Sequence, residues 1–479
     1  MRNLKIKRRV SKNAIFDVLY GFIPITEWEA KIIDSPYFQR LRWIKQLGFS
    51  NYIFPGAEHN RFAHAIGVMH SMHQMIRAVG IDVTDEELFD PKSRSQEAML
   101  HKSLRIAALL HDIGTFPFSH AIEYAYIQHG NDARRSKGRI QKDLPNSHEH
   151  LGSYIIKNTR FAGGMTEILE SYGLDVSLIS KIIKGDSKYL IANQLMHSDL
   201  DADRMDYLLR DAHYTGLKYG QFDRDYLLAN LEPYSAGGGQ WGFGVRESAL
   251  RAVEDFLISR FNWYSQVIHN PESAKFDIVS SHLAELFLKN DLIHQFDDLL
   301  EMIKAQDERF FWWNDIYFMS RCQEIKYHNK LKRHDAKELI TMLLYRKPPK
   351  TLNHPLFKRR VIASEKQNKF RSDSVKSIQA FYKKTKTLVE KNGTGKEWML
   401  LDIPKKDVVF TTSRKNLTRT KTKSVMLRDP IKIIQKDGTA KLLVDDENSL
   451  MRTLADYTIF APSLYVNDAA LKIIKKSKL

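Results

Sequence analysis

The 479-residue chain contains a single cysteine, Cys322. One cysteine excludes both an intramolecular disulfide framework and a zinc site built from cysteines, and it is consistent with a reducing compartment. No apolar run approaches the roughly 18 residues that a transmembrane helix needs. The basic N-terminal segment is not followed by the apolar stretch of a secretory signal. We therefore expect a cytoplasmic protein that does not interact with a membrane.

Positive charge is present in excess, and it is unevenly distributed. The formal net charge is +17, but residues 1–345 contain 43 Lys and Arg against 44 Asp and Glu. Residues 346–479 contain 31 against 13. This asymmetry predicts a nearly neutral body over residues 1–345 and a basic region over residues 346–479, joined near Pro348 and Pro349. The basic region is a candidate surface for nucleic acid or another polyanion, and an ordinary solvated surface is an equally good interpretation.

The hydrophobic pattern indicates a mainly α fold. Hydrophobic residues form 43% of the chain, which excludes wholesale disorder. Helical periodicity is clear over residues 104–110, 202–209 and 247–268, and Asn60 is a candidate helix cap. A glycine-rich turn at 235–242 separates two short predicted strands, and three short β-rich runs follow Lys405. The prediction is a helical core with a smaller basic C-terminal α+β region.

The adjacent pair His111-Asp112 is the strongest chemical signal in the sequence. A neighbouring imidazole and carboxylate at a helix end can both reach one divalent metal, and mixed nitrogen and oxygen donors suit Zn, Fe, Mn or Ni. Two ligands do not complete a site. His64 and Asp203 are the candidates for the remaining ligands.

The set His64, His111-Asp112 and Asp203 resembles the metal-binding set of the HD-domain phosphohydrolase superfamily. Longer strings resemble its deoxynucleotide triphosphohydrolase branch, the bacterial relatives of the sterile-alpha-motif/HD-domain enzyme. They include FQRLRWIKQLG at 38–48, PFSH at 117–120 and DRMDYLLRD at 203–211. The resemblance covers residues 15–269 and extends more loosely beyond them. It implies hydrolysis of a dNTP to a deoxynucleoside and inorganic triphosphate by a divalent-metal enzyme (Zn, Fe, Mn, Ni or Mg) that forms a homo-oligomer, a dimer or a tetramer.

The resemblance also implies roles for individual residues. His148 matches the family's catalytic histidine, and Glu123 matches the carboxylate that orients it. Such a carboxylate raises the pKa of the imidazole and favours a proton donor for the alkoxide leaving group. The residues that match the substrate-binding positions are Gln46, Leu47, Arg61, Thr115, His120, Arg204, Tyr207, Asp211 and Arg260. Helical spacing independently places Asp203, Tyr207 and Asp211 along one stripe of a helix.

Two features depart from the family pattern. Thr115 stands where the family usually has a histidine that approaches the α-phosphate, and Ile268 aligns with a tyrosine that packs beside the sugar. Asp34, Gln39 and Arg42 match residues that bind a guanine activator nucleotide between subunits. The segment at 14–17 nevertheless lacks the lysine and asparagine that usually accompany them. These residues therefore have two interpretations. They form an allosteric nucleotide site, or they do not bind an activator nucleotide.

Two other functions fit parts of the pattern. Thr115 and the basic C-terminal region give some support to a phosphodiesterase or nuclease that acts on nucleic acid or on a signalling nucleotide. A nucleotide-binding regulator with weakened catalysis is the third interpretation. The complete set of predicted metal ligands and the Glu123–His148 pair favour the dNTP triphosphohydrolase.

Overall fold

The computed structural model describes residues 13–477 except residues 82, 137–145, 332, 405–407 and 413–428. Helices dominate the described chain, as the hydrophobic pattern predicts. Their bounds are α1 Glu27–Asp34, α2 Pro36–Gln39, α3 Arg61–Ala78, α4 Asp85–Phe89, α5 Gln96–Leu110, α6 His120–Ser136, α7 His148–Asn158, α8 Met165–Ser171, α9 Val176–Lys184, α10 Leu190–His197, α11 Ala202–Thr215, α12 Arg224–Ala229, α13 Leu250–Trp263, α14 Pro271–Lys289, α15 Phe296–Lys304, α16 Asp315–Tyr327, α17 His334–Leu344, α18 Ser364–Asn392, α19 Met451–Leu454 and α20 Asp468–Lys476.

The strands are short and form four small sheets in the described chain. Their bounds are β1 Asn13–Asp17, β2 Gly21–Ile25, β3 Leu231–Gly237, β4 Gln240–Arg246, β5 Lys350–Thr351, β6 Arg360–Ala363, β7 Met399–Asp402, β8 Val408–Val409, β9 Lys432–Ile434, β10 Ala440–Leu442, β11 Tyr457–Phe460 and β12 Ser463–Val466. The sheet orders are β1-β2, β10-β9-β4-β3, β6-β11-β8 and β5-β12-β7. Two of the three predicted β-rich runs after Lys405 are confirmed, as β8 and β9. The prediction for the third run, 442–444, is wrong beyond Leu442, because β10 ends there and Leu443–Asp445 forms a 3-10 turn.

The centre of the helical body is α3, which packs against α5 and α11. The Asn60 side chain caps α3 by accepting a hydrogen bond from the backbone N–H of Ala63 at 3.1 Å, as predicted. Asp201 caps α11 in the same way through the N–H of Arg204 at 2.8 Å. These caps fix where two helices begin, so the side chains of their first turns have defined positions.

Two of the predicted helices differ in length from the expectation. The segment at 202–209 continues to Thr215 and ends at Gly216, which has a left-handed backbone with φ of 74°. The segment at 247–268 is divided into a short 3-10 turn, the helix α13 and a π-helical turn at Tyr264–Ile268. Periodicity cannot distinguish these helix types over such short stretches.

The basic C-terminal region shares structure with the body. Strand β9 pairs in parallel with β4, with Ile433 opposite Val245 and Ile434 opposite Arg246. Ile431 and Ile433 belong to the same buried apolar cluster as the helices of the body. The boundary between residues 345 and 346 stays a prediction. Within the described ranges, no helix combines the length and the apolarity that crossing a membrane requires.

Candidate active site

Four predicted metal ligands come together where α3, the end of α5 and the start of α11 meet. Nε2 of His64 lies 3.0 Å from Oδ1 of Asp203, and Nε2 of His111 lies 3.8 Å from the same oxygen. Oδ2 of Asp112 is 3.5 Å from Nε2 of His111 and 3.9 Å from Nε2 of His64. Residues up to 139 positions apart in the sequence therefore present nitrogen and oxygen atoms to one small volume.

Hydrogen bonds on the far side of each imidazole hold these ligands in place. Nδ1 of His111 lies 2.8 Å from the carbonyl oxygen of Ala108, and Nδ1 of His64 lies 2.8 Å from Oδ2 of Asp206. Because a carbonyl oxygen can only accept, the Nδ1 of His111 must donate, which leaves its Nε2 lone pair for the site. Asp206 is in turn held by Arg210, with Nε 2.8 Å from Oδ2.

Sequence reasoning missed Asp206 and Arg210 as supports of the site. Their i, i+4 spacing is a signal for an ion pair, but it gives no hint that the pair faces His64 on another helix. Gly67 on α3 makes the approach feasible, because a Cβ there would collide with the carboxylate of Asp206 and the guanidinium of Arg210.

The residues present fit a divalent cation. Nε2 of His64 is buried and lies 3.0 Å from Oδ1 of Asp203, so it faces the carboxylate of another predicted ligand. Burial opposes a positive charge on this side chain, yet hydrogen bonds and charges of Asp203 and Asp206 outweigh it and raise the pKa of His64 to about 9. The cluster therefore favours a positive charge at the point where the buried imidazole nitrogen faces the carboxylate. Two imidazoles and two carboxylates suit a first-row divalent metal.

Arg61 lies directly beside this cluster. Its Nη1 makes an ion pair with Oδ2 of Asp112, and its Nε donates to Oγ of Ser119 at 3.1 Å. Burial alone would raise the pKa of Asp112, but the positive charges of Arg61, His111 and His64 hold that pKa well below its usual range. Asp112 is therefore ionised and available as an anionic ligand.

His148, Glu123 and His120 form a second cluster. Nδ1 of His148 lies 2.6 Å from Oε1 of Glu123, and Nδ1 of His120 lies 2.7 Å from Oε2. Burial disfavours the imidazolium, but the Glu123 carboxylate outweighs burial and raises the pKa of His148 to about 9. The structure therefore brings together the predicted acid and its orienting carboxylate, with the acid protonated at neutral pH.

The second cluster is held against the first by a close contact between loop and helix. Gly114 follows the His111-Asp112 pair, and a Cβ there would lie 2.3 Å from the carbonyl oxygen of His148 and from the backbone nitrogen of Gly152. Only glycine permits this approach of the start of α7. The charge of His148 also contributes to the low pKa of Asp112, as expected for neighbouring groups.

The two other predicted phosphate-binding arginines are buried and paired with aspartates. Arg204 makes an ion pair with Asp201, and Nη1 of Arg260 lies 2.8 Å from Oδ1 of Asp199. In each guanidinium, Nε is buried and has no hydrogen-bond partner among the described residues. Each arginine therefore retains an Nε–H group that can donate a hydrogen bond to a phosphate oxygen.

The residues predicted to contact the sugar occupy two different environments. Tyr207 stacks on Trp263, with ring centroids 4.4 Å apart. Asp211 is fully buried, and its two oxygens lie 2.7 Å from Nε2 of His59 and Nε1 of Trp263. His59 and Trp263 are partners that the sequence did not reveal, because neither is near Asp211 along the chain.

Three further predicted substrate residues, Gln46, Leu47 and Thr115, are buried. Gln46 has a buried side-chain oxygen without a described partner, and Leu47 is part of the apolar core. Thr115 donates its backbone N–H to the Asp112 carbonyl oxygen at 2.9 Å. Its own carbonyl oxygen accepts from Arg40 at 2.9 Å. The backbone of Thr115 is therefore fixed whichever side chain it carries.

Asp34, Gln39 and Arg42 lie apart from this site and line one cavity of about 740 Å³. Strand β1 contributes part of its wall. Nε of Arg42 donates to Oε1 of Gln39 at 2.7 Å, and the guanidinium lies 3.6 Å from the ring centroid of Phe62. The structure thus brings the three predicted allosteric residues together.

Comparison with known proteins defines the class. Residues 61–211 match the family model of the HD domain. The chain therefore contains an HD domain, as its residues predicted.

Its relatives include both uncharacterized proteins and named enzymes. The chain is 32% identical over 257 residues to an uncharacterized protein of Methanocaldococcus jannaschii, covering 54% of this chain and 46% of that protein. It is 30% identical to the uncharacterized protein YwfO of Bacillus subtilis, covering 57% of this chain and 55% of that protein. It is 24% identical over 363 residues to human deoxynucleoside triphosphate triphosphohydrolase SAMHD1, covering 69% and 53%. The chain spans about half the length of the curated relatives it matches.

Solved structures share the fold over nearly the whole chain. A hypothetical protein of Aquifex aeolicus superposes with a TM-score of 0.64 at 25% identity, covering 97% of this chain and 98% of that chain. A phosphohydrolase of Bacteroides thetaiotaomicron has a TM-score of 0.63 at 21% identity, covering 95% and 99%.

Proposed function

We propose that the protein hydrolyses deoxynucleoside triphosphates to deoxynucleosides and inorganic triphosphate. The observation that carries this proposal is the position of the Glu123–His148 pair beside the cluster of His64, His111, Asp112 and Asp203. A cation site and a protonated imidazole held at one place supply the two charges that phosphate-ester cleavage needs. The similarity to triphosphohydrolases supports the choice of a dNTP as the substrate.

Each group of residues has a defined task in this reaction. A divalent metal, when bound by the four ligands, supplies Lewis-acid polarisation of a phosphate oxygen and lowers the pKa of water. Arg61, Arg204 and Arg260 neutralise the charge of the triphosphate through N–H donors. His148 holds a proton that the 5′-oxygen of the leaving deoxynucleoside can accept, and Glu123 keeps that imidazole charged and oriented.

The deoxyribose pocket follows from the same arrangement. We place the sugar against Tyr207, whose ring is held by stacking on Trp263, and we assign Gln46 and Leu47 to the same sugar. Asp211 is assigned to the 3′-hydroxyl. It is held by His59 and Trp263, so binding a sugar hydroxyl requires one of these hydrogen bonds to be exchanged. His120, whose side chain is 61% exposed, lies at the solvent side of the acid pair.

We further propose that a guanine nucleotide binds the cavity lined by Asp34, Gln39 and Arg42 and activates the enzyme at an interface between subunits. A volume of about 740 Å³ falls within the range of nucleotide-sized ligand sites. A carboxylate, an amide and a guanidinium can together bind the base edge and the phosphates. Formation of a homo-oligomer, a dimer or a tetramer, belongs to the same proposal.

A nuclease or phosphodiesterase activity is the second candidate function. The helix α18 exposes Lys376, Lys383, Lys384, Lys386 and Lys391 to solvent. A row of exposed lysines attracts the phosphates of nucleic acid, and the attraction weakens steeply as salt is added. The basic region then positions an oligonucleotide for cleavage at the HD cluster.

One assay distinguishes the two functions. The purified chain is incubated with each dNTP, singly and in mixtures, with Mg²⁺ or Mn²⁺, and with or without GTP. Ion-exchange chromatography is expected to show deoxynucleoside and inorganic triphosphate, with a higher rate when GTP is present and no GTP effect in Arg42→Ala. Cleavage of oligonucleotides with no product from any dNTP mixture contradicts the first function and supports the second.

Restoring the histidine of the family pattern tests the role of Thr115. Threonine offers a hydrogen bond but cannot be protonated. If position 115 limits proton transfer, Thr115→His is expected to raise kcat by about 10²-fold, the lower end of the usual contribution of an acid or base. Thr115→Asn, which adds a donor that does not titrate, is the matched control. Equal rates for the wild type and both variants would show that His148 alone carries the proton.

A further inference from the structure

Asp199 connects the candidate site to the C-terminal region. It lies four residues before the metal ligand Asp203 and is buried, with 6% of its surface exposed. Its Oδ1 accepts from Nη1 of Arg260 at 2.8 Å. Burial raises the pKa of Asp199, but the charges of Arg260 and Arg204 outweigh burial and lower that pKa to about 2. Asp199 is therefore a charged partner of a predicted phosphate-binding arginine.

The other side of Asp199 is held entirely by the C-terminal region. Its Oδ2 accepts from Oγ1 of Thr411 at 2.7 Å and from the backbone N–H of Thr412 at 2.8 Å. Its own N–H donates to the carbonyl oxygen of Asp429 at 2.8 Å. A carboxylate pinned by two donors on one oxygen cannot rotate freely, so its second oxygen has a fixed position.

The same stretch of chain also contacts α13 next to Arg260. Phe410 stacks face to face on Phe261, with ring centroids 3.9 Å apart and planes 6° from parallel. Phe261 is the immediate neighbour of Arg260. Residues 410–412 thus hold α13 through an apolar contact and hold the guanidinium of Arg260 through Asp199.

A buried lysine of the shared sheet also lies close to Asp199 in its electrostatic influence. Lys432 on β9 is 5% exposed, and burial lowers its pKa to about 8 against the opposing charges of Asp429 and Asp199. A buried lysine, a buried aspartate and a buried arginine from three separate parts of the chain therefore form one electrostatic unit. Such a unit depends on the C-terminal region remaining docked on the body.

We propose that the C-terminal region positions Arg260 for triphosphate binding through Thr411 and Asp199. The affinity of the site for triphosphate then depends on this region. The identity of the ligand rests on the proposed function. Thr411 and Asp199 are positioning residues, since Arg260 alone makes the contact with phosphate. Docking of the C-terminal region and anion binding at Arg260 are linked, so each strengthens the other.

A double-mutant cycle measured with inorganic triphosphate tests the proposal. Isothermal titration of the full chain gives the Kd, and thermal unfolding reports whether each variant folds. Thr411→Val removes the hydroxyl that donates to Asp199 and is expected to raise the Kd about 10-fold, as for the loss of a hydrogen bond to a charged group. Thr411→Ser keeps the hydroxyl and is expected to restore wild-type binding. Combined with Arg260→Ala, Thr411→Val is expected to add no further loss.

The matched control is Thr439→Val, which removes a similar hydroxyl–carboxylate hydrogen bond, to Asp437, in an exposed turn of the same region. Its Kd is expected to equal that of the wild type. Phe410→Leu weakens the stacking on Phe261, the neighbour of Arg260, and is expected to raise the Kd about threefold, again only when Arg260 is present. It serves as the test if Thr411→Val does not fold.

The outcomes separate this inference from the proposed function. Losses that add fully to that of Arg260→Ala, or a Thr411→Val variant that binds like Thr439→Val, overturn the positioning role. Triphosphate binding that shows the expected coupling, without hydrolysis of any dNTP, overturns the proposed function and leaves the positioning role supported. A wild-type chain that does not bind inorganic triphosphate contradicts both.

Discussion

Replacing His111 with alanine is expected to abolish dNTP hydrolysis, with a loss in kcat of at least about 100-fold. Removing a group that only orients a metal ligand already costs about 10–100-fold in metal affinity or activity, and loss of the ligand itself exceeds that. The bound metal, measured by elemental analysis of the purified chain, is expected to fall together with the activity. Asp206→Asn, which loosens His64 without removing a ligand, is expected to give an intermediate loss of about 10-fold.

The matched control is His328→Ala, since His328 is exposed and follows α16, away from the α3 and α11 elements that build the site. Its metal content and kcat are expected to equal those of the wild type. A His111→Ala chain that retains both metal and activity would show that the cluster at the end of α5 is not the metal site. Loss of activity with the metal retained would assign His111 to a different task.

Replacing Glu123 with glutamine is expected to lower the pH above which kcat/KM for dNTP hydrolysis falls. In the wild type the imidazolium of His148 persists to the pKa of about 9, so kcat/KM is high below that pH and falls above it. The neutral amide removes the charge that opposes burial, so the pKa of His148 returns to 6.5 or lower. At pH 8 the protonated fraction then falls to about 3%, and we expect a loss of at least about 30-fold.

A pH profile of kcat/KM measures this effect and separates it from misfolding. At pH 6 the loss in Glu123→Gln is expected to be much smaller than at pH 8, whereas a misfolded variant is impaired at both. Glu149→Gln is the control, because Glu149 is 55% exposed and its oxygen lies 3.8 Å from Nε2 of His148. Glu149 contributes less than Glu123 to the raised pKa of His148, so Glu149→Gln is expected to cause a smaller shift in the pH above which kcat/KM falls. Equal values of this pH for the wild type and Glu123→Gln would contradict the assignment of His148 as the proton donor.

The same pair makes folding stability depend on pH with a defined sign. The raised pKa of His148 contributes stability that is complete below about pH 6.5 and is lost as the pH rises through about 9. Burial raises the pKa of Glu123, but His148 and His120 outweigh it and lower that pKa, which adds stability that is lost as the pH falls below the ordinary value of 4.5. The pair therefore stabilises the fold most between these limits.

Several site residues could be identified from the sequence because their relation is local. His111 and Asp112 are adjacent, and Asp203 occupies the first turn of a helix capped by Asp201. The predicted stripe of Asp203, Tyr207 and Asp211 was less informative. At 3.6 residues per turn, positions eight apart diverge by about 80° around the helix. Asp203 accordingly faces the metal cluster, while Asp211 faces His59 and Trp263.

Other parts of the site depend on contacts that leave no local trace. The pairing of Asp206 with His64 joins two helices 142 residues apart in sequence, and Gly67 permits it only because of how those helices cross. The link from Arg260 through Asp199 to Thr411 spans more than 200 residues. Hydrogen bonds of this kind need only one donor and one acceptor, and such residues are too common in any sequence to be recognised as pairs.

The sequence by itself predicted the HD domain, the mainly α fold and a candidate set of metal ligands, because helical periodicity and short motifs are encoded within a few turns of chain. It also located the excess positive charge in residues 346–479. The tertiary structure alone decided what that region contacts. Strand β9 pairs with β4, and residues 411 and 412 hold Asp199, the partner of Arg260, for which phosphate binding is predicted. Such long-range contacts are set by how elements pack, and packing is a property of the whole fold.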